Sequence, residues 1–150
     1  MTDSIRQTIM AAFEDRLQTI LISNGYQTNL GQNIFEWRGV ALEDSELPAA
    51  IYRDMQDNIA LTFGREEHKL RIDLDIFAEA TPDAGIMRKI IADIHISMAS
   101  PDTTLGGIAE DILPISDETI QTEHENKKYF GISLKIIVQY VSKIWDPYTS

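Results

Sequence analysis

The stretch from Phe130 to Tyr140 constrains the fold more than any other: Phe130, Ile132, Leu134, Ile136, Val138 and Tyr140 alternate with Gly131, Ser133, Lys135 and Gln139. A period of two sustained that far is a β-strand with one face in a core, because successive side chains of a strand point to opposite sides. A second run repeats the pattern, with Leu70, Ile72, Leu74 and Ile76 on one side and Arg71, Asp73, Asp75 and Phe77 on the other. Strands that are apolar on one face only belong to a mixed or antiparallel sheet covered on one side, with a polar face left over.

Two helical patterns can supply the cover. Ile5, Ile9, Ala12, Phe13, Leu17, Ile20 and Leu21 recur at spacings of three and four, Ser4 and Gln7 fit a capping box, and Gly25 offers a left-handed stop; the spacing predicts a helix over residues 4–23. Ile86, Met87, Ile90, Ile91, Ile94 and Met98 form a second stripe, with Thr81 as its cap, Pro82 at its first position and Ser100-Pro101 as its stop. Ile34, Phe35, Glu36 and Trp37 form a short β-favouring cluster after a turn-rich stretch, and Leu47-Pro48-Ala49-Ala50 leads into a strand at Ile51 and Tyr52. Residues 101–126 are less regular, with a possible short strand near residues 112–115. The order of elements argues for an α+β fold: a mixed, mainly antiparallel sheet with two helices packed on one face. At 150 residues and 43% hydrophobic content, with no linker, repeat or low-complexity block, residues 1–150 read as a single domain.

Composition closes off several chemistries. There is no cysteine, which removes disulfides, thiolate zinc sites and cysteine nucleophiles together. No apolar run is long enough for a membrane helix, and the start MTDSIRQTIM lacks the order of a secretory signal, so a soluble protein made in the cytoplasm is expected. The net charge of −11 is uneven: residues 101–126 contain Asp102, Glu110, Asp111, Asp117, Glu118, Glu123 and Glu125 without a lysine or arginine, then Lys127, Lys128, Lys135 and Lys143 follow. Such a surface does not hold a phosphate backbone, since that affinity comes from Lys and Arg displacing counterions.

No catalytic, cofactor or metal residue stands out. His68 and His124 sit among acids and read as exposed loop histidines, and His95 borders the second stripe; none has the spacing of a metal pair. Asp73 and Asp75 share one strand face and could hold a hard cation in a metal-dependent hydrolase, or with Arg71 form an ordinary ion-paired face or subunit contact. Leu105-Gly106-Gly107 has neither the P-loop lysine nor the dinucleotide spacing, and no GxSxG elbow is present.

The order of weaker motifs carries more. An early helix, Gly25-Tyr26, "LPA" entering a strand, "LRIDLDI", a second helix, an "LGG" turn, and a final "IVQY" strand followed by "DPY" together resemble the tail terminator proteins of long-tailed bacteriophages over nearly the whole chain. The chain departs from that pattern at Val141-Ser142, where many relatives have Arg-Thr, and after Gly107. The resemblance implies a structural virion protein at the head-proximal end of the tail: a homohexameric ring that stops the tail tube protein from polymerising and meets a neck or head-completion protein, with DNA passing through its lumen unbound. It leaves open another neck or tail-completion, head–tail joining role. In that setting Leu47, Pro48, Asp73, Asp75, Tyr140, Trp145, Asp146, Pro147 and Tyr148 are candidate subunit or partner contacts, the last four as an extended C-terminal arm whose aromatics anchor on a neighbour. The acidic stretch and the Asp73/Asp75 face are candidate lumen or interface positions.

Overall fold

The computed structural model describes residues 2–79 and 85–150; Thr81 and Pro82, expected to start the second helix, lie outside the described residues. Helices α1 (Ile5–Gln18) and α2 (Gly85–Ala99) accompany strands β1 (Ile34–Glu36), β2 (Ala49–Thr62), β3 (Arg65–Glu79), β4 (Asp111–His124) and β5 (Lys127–Lys143). The strands form one five-stranded sheet in the order β1-β2-β3-β5-β4. β1 joins β2 in parallel, and every other pairing is antiparallel. Leu74 stands opposite Tyr52 on one side and Leu134 on the other, so the alternating apolar residues of three strands share a face. Phe13 and Leu17 of α1 and Ile90 and Ile94 of α2 close over that face in a single core. The chain is an α+β protein with both helices on one side of the sheet, as the alternation requires.

Length then decides what stays uncovered. Helices of 14 and 15 residues span roughly 21 to 23 Å. Strands of 15 and 17 residues run roughly 50 to 55 Å. The helices therefore roof the middle of the sheet, and both hairpins run on past them. At one end Ile59 and Leu61 are exposed on the helix side; at the other, residues 116–123 of β4 are exposed on both faces.

Several expectations are corrected. The first helix stops at Gln18, short of residue 23, because the chain doubles back onto its end: Gly31 N–H donates to the Ile20 carbonyl at 2.8 Å. A side chain at position 31 would meet the Gln18 carbonyl oxygen at 2.5 Å, so only glycine permits that approach. Gly25, at φ +92°, ends a 3-10 turn at Ile22–Asn24 rather than the helix. Ser4 does cap α1, accepting from Gln7 N–H at 3.1 Å. Residues 101–126, read as mostly irregular, contain the full 14-residue β4. The uncovered sheet face is not wholly polar either: Phe77 stands opposite Gly131, and Ile120 lies against the same glycine.

Two carboxylates fasten the helical layer. Asp93 of α2, 1% exposed, accepts from the backbone N–H groups of Gln27 and Thr28 at 3.1 and 2.9 Å and from the Thr28 hydroxyl at 2.7 Å. Asp102 accepts from Thr104 N–H at 2.8 Å and from Gly106 N–H at 3.2 Å. Arg16 of α1 reaches the Asp102 and Met98 carbonyls, joining the two helices beyond their direct packing.

Replacing Asp93 by Ala strands the buried N–H and hydroxyl of Thr28, and urea unfolding should show a loss of about 2–4 kcal/mol. The Thr104 and Gly106 N–H groups hold the Asp102 carboxyl down to about 2 from its ordinary 3.8. A depressed carboxylate stabilises the fold above the unfolded value and loses that contribution as pH falls through the folded one. Carbon-detected NMR should therefore place the Asp102 midpoint near 2, and Thr104→Ala, which keeps the backbone donor, should leave most of the depression in place.

Candidate functional site

Beyond the roof of helices, at the end where β2 turns into β3, the sheet has to bury polar groups against one another. Asp57 of β2, His68 of β3, and Tyr140 and Ser142 of β5 occupy neighbouring positions on the helix side, because His68 pairs with both Ile59 and Tyr140. His68 Nδ1 lies 2.8 Å from Asp57 Oδ2, and Nε2 lies 2.9 Å from Ser142 Oγ and 3.2 Å from Glu66 Oε2. The Tyr140 ring stacks on the imidazole with centroids 4.2 Å apart, and its hydroxyl donates to Asp57 at 2.8 Å. Burial, and then the hydrogen bond to Asp57, push the Tyr140 phenol well above its ordinary value.

His68 was expected in an exposed loop; it is 7% exposed in the middle of a strand pairing. Glu66, Glu67 and Lys69 around it conceal the strand, since no apolar alternation marks a segment that no helix covers.

Asp57, His68 and Ser142 have the spacing of an orienter, base and nucleophile, but the serine has Glu66 as a second partner. The Ser142 hydroxyl has one proton, and it donates to Glu66 Oε2 at 3.1 Å. The serine oxygen thus lies between Glu66 Oε2 and His68 Nε2, and the tautomer of the ring sets whether that nitrogen donates or accepts. Ser142 is 2% exposed, at the back of a groove that it helps to line. The arrangement is a lock that crosslinks three strands.

The C-terminal tail closes on the same lock. Glu66 Oε1 accepts from Trp145 N–H at 3.3 Å; this bond is the largest cause of the lowering of the Glu66 carboxyl below its ordinary value. Pro147 carbonyl accepts from Ile5 N–H at 2.9 Å, and Thr149 carbonyl from Lys143 N–H at 2.8 Å. Asp146 accepts from Tyr148 N–H at 3.0 Å. In the single chain the tail is thus a turn folded against the start of α1 instead of an extended arm. Trp145 nevertheless sits at φ +59° and is 91% exposed. Its ring neither reaches out along an arm nor lies buried against its own sheet.

Of the residues singled out from sequence, Tyr140, Trp145, Asp146 and Pro147 come together, lining a groove of about 360 Å³ with Arg6 and His68. Tyr148 is exposed nearby on the turn. Leu47 and Pro48 are half-buried at the far end of β2, where Pro48 carbonyl accepts from the Asn33 side chain at 3.3 Å. Asp73 and Asp75 lie on the uncovered sheet face, opposite to His68. Arg53 donates to Asp75 at 2.9 Å, and Arg71 Nε lies 3.1 Å from Asp73 Oδ1, too poorly aligned for a hydrogen bond. Each carboxylate already faces a guanidinium, and the sheet itself separates them from His68. Among the described residues no group of three or more His, Asp or Glu is arranged to hold a metal ion, and no helix is long and apolar enough to cross a membrane.

Replacing His68 by Ala should cost about 2–3 kcal/mol in chemical unfolding, since Glu66 and Asp57 lose a buried partner. Trp145→Ala should change stability by no more than about 0.5 kcal/mol, as expected for an exposed side chain. No family model matches the chain, and no curated protein matches its sequence, so the reading of its function rests on its own residues.

Proposed function

We propose that this chain is the terminator of a bacteriophage tail tube, a non-enzymatic virion protein acting as a homohexameric ring at the head-proximal end. There it stops tube subunits from adding and offers its other side to a neck or head-completion protein. The observation that carries the reading is the order of motifs along nearly the whole sequence: Gly25-Tyr26, "LPA", "LRIDLDI", "LGG", "IVQY" and "DPY".

The fold is compatible with that role in two ways. A sheet roofed on one side leaves a broad second face, and the ends of its hairpins extend apolar side chains past the helices; both are surfaces that an assembling protein uses. The polar lock braces the β2–β3 end while it remains bare.

The acidic path for DNA is narrower than the sequence suggests. On the uncovered face Asp73 and Asp75 are offset by Arg71 and Arg53, so that face is charge-balanced. On β4 the exposed acids are Asp117, Glu118 and Glu123. A wall formed by this margin repels phosphate over about 8 Å at physiological salt, enough to keep DNA off its surface.

The test is tube assembly with purified tube subunit. Added chain should cap tubes at one end and shorten them, with six-fold rings seen end-on in negative stain. Tubes that lengthen at the same rate with the chain present would overturn the terminator reading; binding to a neck protein without any effect on tubes would point to the head–tail joining role.

A further inference from the structure

The turn joining β2 to β3 breaks two local rules at once. Phe63 and Gly64 are its two central residues, at φ +50° and +78°. A two-residue hairpin turn with both angles positive favours Asn, Asp or Gly at its first place, and a bulky side chain there is strained. Phe63 is also 99% exposed, with no contact in its own chain to compensate, and Leu61 and Ile59 beneath it are exposed as well. Strain and bare apolar surface at one point indicate a position kept for a contact.

On the opposite margin of the sheet lies a groove of about 310 Å³ between α2 and β4, floored by Ile94, Met98, Ile112 and Leu134. That volume is at the small end of ligand-sized pockets, roughly 300–1,000 Å³, with room for one aromatic side chain and its neighbour. Ile115, itself exposed, forms one wall of it. Charge can match too: Arg65, next to the turn, is exposed, and Asp117 lines the groove beside Lys135.

We propose that Phe63 of one copy of this chain inserts into the α2–β4 groove of the next. Finger and groove sit on opposite margins of one sheet, so they cannot meet within a chain, and a contact between unlike surfaces repeats from copy to copy until a rotation closes it. Each such contact buries little, and closure, which gives every subunit two of them, is what holds the ring. The inference rests on the ring reading above and names the surfaces that build the ring.

The absence of cysteine makes the test direct. A variant carrying Phe63→Cys and Ile115→Cys, oxidised in the presence of tube subunit, should give a covalent ladder ending in a closed oligomer, while neither single variant gives one. Phe63→Ser should weaken self-association at least about tenfold, as for an interface anchor, with an unchanged circular dichroism spectrum. Rings of full mass with no ladder, or an unaltered association constant for Phe63→Ser, would overturn the finger-and-groove contact and leave the ring reading standing. Monomers at every concentration, with tube growth unaffected, would overturn both.

Discussion

A strand residue advances more than twice as far as a helix residue, and the shape of this protein follows from that mismatch. Its two helices are about as long in residues as its strands, so they can roof less than half of the sheet's length. Everything apolar that lies under the roof is core: Phe13, Leu17, Ile90 and Ile94 against Ile72, Leu74, Leu134 and Ile136. Everything past it has to survive in water or find other cover.

The two ends meet that demand differently. Toward the β4–β5 turn β4 is exposed on both sides and mostly polar, with Ile120 the exception, which lessens the need for cover. Toward the β2–β3 turn a set of hydrogen-bonded polar groups takes the place of a core, with His68 between Asp57 and Glu66 and the tail folded onto the latter. A polar network of this kind is directional in a way that apolar packing is not, so it fixes strand register where side-chain shape would not. Stiffness at this end matters because the exposed Phe63 and Trp145 are held there in left-handed backbone conformations.

The sequence was legible where water and core alternate. The middle of β3, β5 from Phe130 to Tyr140 and the α2 stripe could be read because each presents one face to the helices or sheet and one to solvent. β4 was mostly hidden for two reasons: Ile115 is an extra residue that shifts the alternation, and beyond it both faces are wet. Helix α1 was overread because Ile20 and Leu21 keep the helical spacing after the chain has left the helix, and the close approach of Gly31 that ends it is a contact between distant residues. Of the candidate site, Tyr140 and the tail were recognised as notable, but the lock was not. Asp57, Glu66, His68 and Ser142 come from three strands, and no spacing along one of them announces the meeting.

Met55 in β2 and Ile115 in β4 are the extra residues of two bulges in the sheet. Since side chains alternate with a period of two, losing one residue elsewhere in these strands would turn every later side chain to the wrong surface. At the two bulges a deletion would instead leave the pairing on either side intact, so descendants of this sequence can shorten β2 and β4 there without turning either strand inside out.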